Sequence, residues 1–197
     1  MIIDAGHGGH DMGGRGNGLT EKQLTLDTAL ALRNVLRAKG FNTVLTRAND
    51  HFVDLDDRVA FANHYRNSGA ILVSVHFDSA SSSASGITTF FWRTDSHGLA
   101  TRVHRSITSA TGLPSVGVVR RRIRLTRNPE IPCILVECGF MTSRADASRI
   151  ASSAFRRRIA AGIASGIADQ FRLGDGNIPP VPELHEPLSR ATDPRTY

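Results

Sequence analysis

At 197 residues, with 40% hydrophobic and 21% charged side chains, the chain is long enough to bury one sizeable core, and no second domain is required. Its 24 Lys and Arg residues against 18 Asp and Glu leave a formal charge of +6, which favours anionic partners without choosing among wall polymers, nucleic acid and acidic lipid surfaces. Two cysteines supply no disulfide framework, no stretch approaches the ~18 apolar residues of a membrane span, and the start lacks the basic and long apolar regions of a signal peptide.

Met1-Ile2-Ile3-Asp4 opens the chain as a short apolar strand and runs into Ala5-Gly6-His7-Gly8-Gly9-His10-Asp11, a glycine-rich turn. Thr20-Glu21-Lys22-Gln23 matches a capping box, which puts Glu21 in the first turn of a helix over 21–38 that Gly40 closes. A strand near 42–46 follows, then a helix near 55–66 for which Asp54 offers a cap. Strands near 70–76 and 87–92, a helix near 97–110, a strand near 133–137 and a helix near 154–171 complete the pattern. Phe155, Ile159, Ile163, Ile167 and Phe171 recur every fourth residue, so the last helix is expected to pack flat on the sheet. This alternation predicts an α/β fold: a single domain with a mostly parallel twisted β-sheet of about six strands and helices on both faces. Ser79-Ala80-Ser81-Ser82-Ser83-Ala84-Ser85-Gly86 is too small and polar to pack a core and reads as a flexible loop beside a site. Residues 1–173 form the expected domain; 174–197, with Pro179, Pro180 and Pro182, read as an extended tail or linker. Cys133 and Cys138 sit five residues apart on one strand, on opposite faces and roughly 16 Å apart, so no bridge joins them.

Ligands of open α/β sheets collect outside the carboxyl ends of the strands. His7 follows the first strand, and Ala70-Ile71-Leu72-Val73-Ser74-Val75 ends in His76. These two candidates lie about 70 residues apart and bring no thiolate, unlike a structural Cys/His site. Catalytic zinc takes three N or O ligands and keeps one position for water, and Glu21, soon after the His7 loop, is the third candidate. Cys133-Ile134-Leu135-Val136 leads into Glu137, a carboxylate at a strand end that is not needed as a ligand and is the candidate acid/base. Each of these has a structural competitor: hydrogen-bonded loop histidines, a first-turn Glu favoured by the helix dipole, a paired strand-end carboxylate. Asp4 reads as ordering the His7 loop rather than as a ligand. His51, His64, His97, His104 and His185 fit surface positions, and Arg156-Arg157-Arg158 a solvated helix face. The run Arg120-Arg121-Arg122-Ile123-Arg124 reads as solvated surface or as a binder of phosphates or carboxylates.

Six segments in fixed order resemble the zinc-dependent N-acetylmuramoyl-L-alanine amidases of the amidase 3 type over roughly residues 1 to 171. They are Ile3-Asp4-Ala5-Gly6-His7-Gly8-Gly9, Leu19-Thr20-Glu21-Lys22, Leu45-Thr46-Arg47, Arg58-Val59-Ala60-Phe61-Ala62-Asn63, Val73-Ser74-Val75-His76 and Leu135-Val136-Glu137-Cys138-Gly139-Phe140-Met141. The resemblance implies one catalytic zinc ion held by His7, Glu21 and His76, with Glu137 essential for hydrolysis. It implies cleavage, in peptidoglycan, of the amide joining the lactyl group of N-acetylmuramic acid to the L-alanine of the stem peptide. Candidate substrate contacts are His10 and Asp78, with Arg127 where the resemblance suggests a residue facing the substrate groove. Ala5 stands where the family normally has proline, Phe77 where it has a small residue, and the 120–124 run is more basic than that segment usually is. The implied location is periplasmic, extracellular or in the cell wall, reached through a removed leader or upstream region, or by another route as phage lysins of this type can. Anionic wall polymers are possible further partners, nucleic acid is not expected, and a monomer is favoured. A zinc peptidase or deacetylase acting on another wall amide, and a catalytically silent module binding anionic polymer, are the rival readings.

Overall fold

The structure, a computed structural model, describes residues 1–182. In chain order its elements are β1 (Ile2–Ala5), β2 (Arg15–Gly16), β3 (Leu19–Thr20), α1 (Glu21–Ala38), β4 (Val44–Leu45), α2 (Leu55–His64), β5 (Leu72–Asp78) and β6 (Ile87–Phe91). There follow α3 (His97–Thr111), β7 (Ser115–Arg120), α4 (Arg124–Arg127), β8 (Cys133–Phe140), α5 (Arg144–Ile150) and α6 (Ser153–Leu173). Six strands form one sheet in the order β4-β1-β5-β8-β6-β7, and β2 with β3 makes a small antiparallel ribbon. β4, β1, β5 and β8 are mutually parallel; β6 runs antiparallel to β8, and β7 parallel to β6.

Side chains alternate along a strand, so the in-register pairing puts Ile3, Val73 and Ile134 on one face and Ile2, Leu72 and Cys133 on the other. The first face carries the main core, where these residues pack with Leu32 and Leu36 of α1, Val103 and Ile107 of α3, and Ile159 and Ile163 of α6. The second face holds a smaller cluster with Ala62 of α2 and Leu125 of α4. That cluster stops at the level of Ile2, Leu72 and Cys133. The next positions on the same face are Asp4, Ser74 and Leu135, then His76 and Glu137, and these build the site. Cys133 and Cys138 are free, buried and on opposite faces, as their spacing requires.

All the expected strands and helices form, and the differences are informative. β7, α4 and α5 carry too little periodicity to be read locally: β7 is an edge strand with Val116 and Val119 exposed, and the two helices are short. Asp54 caps α2, accepting from the Asp56 N–H at 2.8 Å. The capping box at Thr20 does not form. Its hydroxyl makes no cap bond, and Glu21 points its carboxylate at the two histidines described below. α6 packs chiefly against α3 and α1 rather than flat on the strands. A methyl group on Gly162 would lie 2.8 Å from the Ile107 Cα and one on Gly166 would overlap the backbone of Val103, so both positions are notches that α3 fills. The stripe residue Phe171 ends up exposed, edge-on to Phe41.

His97 and His104 are buried, not at the surface, while His185 lies outside the described residues. His104 bridges two strands: Nδ1 meets Thr89 Oγ1 at 3.1 Å and Nε2 meets Ser115 Oγ at 2.7 Å. Residues 174–182 form turns and irregular chain, with Arg102 donating to the Gly174 and Gly176 carbonyls; the rest of the expected tail lies outside the described residues.

Two outcomes are expected. Gly166→Ala should destabilise the fold by ~1–3 kcal/mol in denaturant unfolding, because the α3 backbone cannot withdraw without opening the core. Burial lowers the His104 pKa below its ordinary 6.5, so the unfolded chain binds the proton more readily. The stability that neutral His104 contributes is therefore complete above the ordinary histidine range and is lost as pH falls through the depressed value. Thermal melts from neutral to acid pH should fall less steeply in His104→Gln than in the parent protein.

Candidate metal centre

Four polar side chains from four elements meet at the carboxyl edge of β1, β5 and β8. His7 leaves β1 in a loop and adopts φ +61, a left-handed backbone that non-glycine residues rarely hold without support. The support is a pair of interior arginines. Arg58 donates to the Ala5 and His7 carbonyls at 2.7 and 2.8 Å and pairs with the Asp4 carboxylate. Arg47, 1% exposed, donates to the carbonyls of Ala5 at 2.9 Å, Gly6 at 2.7 Å and Lys22 at 2.9 Å. Asp4 also accepts from Thr46 and Ser74 at 2.6 Å each, so it orders the loop, as its sequence position suggested. Gly6 is required by close approach, since a methyl group there would overlap the His76 ring.

Glu21, the first residue of α1, lies between the two histidines. Its Oε2 is 3.0 Å from His7 Nε2 and its Oε1 is 2.9 Å from His76 Nδ1. Gly14 N–H donates to Oε2 at 2.7 Å and Phe77 N–H to Oε1 at 3.2 Å, which fixes the carboxylate in both directions. Burial alone would raise its pKa, but the hydrogen bonds and charges of His7 and His76 outweigh it and hold the carboxyl far below its usual range. Burial opposes a charge on His7, yet Glu21 and Asp11 together raise its pKa. Asp11 takes His7 Nδ1 at 2.8 Å, leaving Nε2 turned toward Glu21.

One ligand atom from each of His7, Glu21 and His76 lies within 4.8 Å of the others, the one such group among the described residues. Tetrahedral bonds of ~2.0–2.1 Å would need separations of about 3.3 Å, so the set fits a single divalent ion with little movement. Two imidazoles and a carboxylate are the donor types zinc accepts, and the carboxylate on the far nitrogen of His7 is the usual support of such a ligand. Glu137 faces the same space, paired in register with His76 on the neighbouring strand. Its Oε2 is buried without a hydrogen-bond partner, and burial, followed by the charges of Glu21 and Asp78, pushes its pKa well above the carboxylate range.

The remaining candidates separate. His10 stacks on Phe52, ring centroids 4.2 Å apart, at a cavity of about 480 Å³ beside the centre, whose walls include Leu55, Ile123, Leu125 and Leu135. Asp78 continues the His76 face beyond a bulge in β5, accepts from Ser79 N–H at 2.7 Å, and has its pKa raised by burial. Arg127 does not line the cavity; its Nε donates to Asn128 at 2.9 Å, whereas Arg124, one turn earlier, does line it and pairs with Asp56 at 2.5 Å. Nor are the arginine runs simply solvated. Arg120 and Arg122 lie over the Trp92 ring at 5.3 and 5.7 Å, and Arg156 donates to the Ile150 and Ala151 carbonyls while pairing with Asp27. Sequence reasoning missed the roles of Asp11, Arg47 and Arg58; Arg47 and Arg58 lie within the resembling segments, but their contacts are made by burial that no local pattern encodes.

The amidase 3 family model, described as N-acetylmuramoyl-L-alanine amidase, matches residues 1–169. The sporulation-specific N-acetylmuramoyl-L-alanine amidase of Bacillus subtilis is 33% identical over 179 residues, 88% of this chain and 68% of that one. N-acetylmuramoyl-L-alanine amidase CwlM of Bacillus licheniformis is 36% identical over 181 residues, 88% of this chain and 69% of that one. The crystal structure of N-acetylmuramoyl-L-alanine amidase from Clostridium difficile 630 matches with a TM-score of 0.83 at 33% identity, over 88% of this chain and 96% of that one.

Arg58→Ala would leave the Asp4 carboxylate buried without its cation. It should cost about 3–5 kcal/mol in denaturant unfolding, and the remaining folded protein should bind a divalent metal ion more weakly in competition titration because the His7 carbonyl is released.

Proposed function

Since the chain belongs to the N-acetylmuramoyl-L-alanine amidase family, we propose that it hydrolyses peptidoglycan at the amide between N-acetylmuramic acid and the L-alanine of the stem peptide, using one zinc ion held by His7, Glu21 and His76. The observation that carries this reading is the joint placement of two histidines, a bridging carboxylate and an unpartnered buried carboxylate at one strand edge. A zinc ion bound there would supply Lewis acidity, polarising the scissile carbonyl and making water acidic near neutral pH.

The chain's own groups do the rest. In its ionised form, which the charge of a bound divalent ion would favour against burial, Glu137 accepts the proton of the attacking water at its free Oε2 and returns it to the leaving nitrogen of L-alanine. No donor competes for that oxygen, so nothing has to be displaced before the transfer. Asp11 fixes the tautomer and orientation of His7 through Nδ1. His10 at the cavity rim and Asp78 at the strand end are the proposed substrate contacts, with Arg124 taking the position expected of Arg127. The site of action is the cell wall, outside the cytoplasm, and the surplus positive charge suits a wall rich in anionic groups. Among the described residues no helix is long and apolar enough to cross a membrane.

Digestion of purified peptidoglycan should release intact stem peptides with a new L-alanine amino terminus, read by mass, and should stop with chelator and resume with zinc. Fragments cut within the peptide, or deacetylated glycan, would replace this reading with a peptidase or deacetylase. Glu137→Gln should keep its zinc and lose about 100-fold or more in kcat, while His76→Ala should lose both metal and turnover.

A further inference from the structure

Arg121 is not accounted for by this chemistry. Its backbone N–H bonds the Phe91 carbonyl at 2.8 Å, just past β7, and its guanidinium lies over the Phe90 ring, 5.7 Å from the centroid. Across β6 and β8, Phe90 pairs with Leu135 and Thr88 with Glu137, so the ring, the arginine above it and the Glu137 carboxylate share one face of the sheet. The Arg121 charge bears on Asp78, and the Asp78 charge bears on Glu137.

Yet Arg121 pairs with neither acid. Its Nε is buried without a hydrogen-bond partner, and its side chain donates to no group among the described residues. Of the other arginines of the run, Arg120 Nε donates to the Trp92 carbonyl at 3.0 Å, Arg124 holds Asp56, and Arg122 lies over the Trp92 ring rather than that of Phe90. Asp78, the acid within reach of its field, is turned to Ser79 N–H instead. The buried Nε has no acceptor until an anion arrives, and contact with the Phe90 ring holds the planar group ready for one. Its fork of N–H donors matches a carboxylate.

The two flanks of the metal centre therefore differ in chemistry. Toward α2 lies the cavity walled by Leu55, Leu125 and Leu135, and toward β6 and β7 lies a cation, unpaired among the described residues, on an aromatic ring. The two sides of the scissile amide differ in the same way, with an acetamido sugar on one and a peptide bearing free carboxylates on the other. We propose that Arg121 sets specificity on the peptide side, receiving the first free carboxylate of the stem peptide after L-alanine; this rests on the amidase reading above. The enzyme then discriminates stem peptides in which that carboxylate is free from those in which it is amidated.

The test uses two muramoyl-tetrapeptides that differ only in whether the second stem residue carries a free carboxylate or a carboxamide. Binding is measured by calorimetry on zinc-loaded Glu137→Gln protein, and hydrolysis on the parent enzyme. The free acid should bind about tenfold more tightly and show a similarly higher kcat/KM, carried by KM. Adding Arg121→Gln should bring both ratios close to one, Arg121→Lys should restore part of the preference, and the exposed-surface control Arg105→Gln should keep it whole. A preference that survives in folded Arg121→Gln, or its absence from the parent protein, overturns the assignment. The binding arm needs no turnover: discrimination in binding with neither ligand cut would overturn the amidase reading and leave Arg121 standing, whereas equal binding and equal cutting of both ligands would do the reverse.

Discussion

Arg47 and Arg58 place two positive charges beneath the loop that carries His7, at 1% and 3% exposure, and the edge of the sheet is arranged to satisfy them. One carboxylate, Asp4, pairs with them, and the other donors go to the Thr25 hydroxyl and to main-chain carbonyls, those of Ala5, Gly6, His7 and Lys22 at the site and of Asn49 and Val53 beside it. A buried guanidinium has few tolerable alternatives, because any slip of the loop leaves a donor or a charge unpaired in a medium that cannot solvate it. That intolerance keeps His7 in its left-handed conformation and aims its ring at Glu21.

From this follows the economy of the sheet. β1, β5 and β8 each present apolar residues to the main core on one face, while their other face changes from apolar at the amino end to polar at the carboxyl end. The same strands that bury Val73, Val75 and Val136 therefore hold His76 and Glu137 in register, with no loop flexibility between core and chemistry. Glu21 reaches this edge from the first turn of α1, whose lower turns are locked into the core by Leu32 and Leu36. Placement on rigid elements is what lets two histidines and a carboxylate converge at about 3 Å.

The positive charge of the chain is also more organised than its composition implies. Arginines of the 120–124 run rest on Trp92 and Phe90, and Arg156 ties α5 and α6 to α1 through Asp27. Long cationic side chains laid along aromatic rings cover apolar surface with their stems and keep the guanidinium within reach of anions.

Local pattern was enough to locate the parallel strands, the four longer helices and the four polar residues of the centre, because each of these announces itself within a few positions. An apolar run that ends in His or Glu marks a strand edge, and an acidic residue ahead of a periodic segment marks a first helical turn. Thr20 shows the boundary of that information: its motif is a capping box, yet its hydroxyl makes no cap bond, and the partners of Glu21 are His7 and His76, the latter remote in sequence. β7 and the two short helices, the seat of α6 in the notches of Gly162 and Gly166, and the burial of His104 were likewise decided by contacts between distant segments. So was the choice of Arg124 over Arg127 at the cavity. By itself the sequence determined which residues stand at strand ends, since period and hydrophobicity are local properties. Which of them pair, which lose solvent and which are left without a partner was decided only by tertiary register, because a hydrogen-bond donor is satisfied or orphaned by neighbours that the chain brings from far along its length.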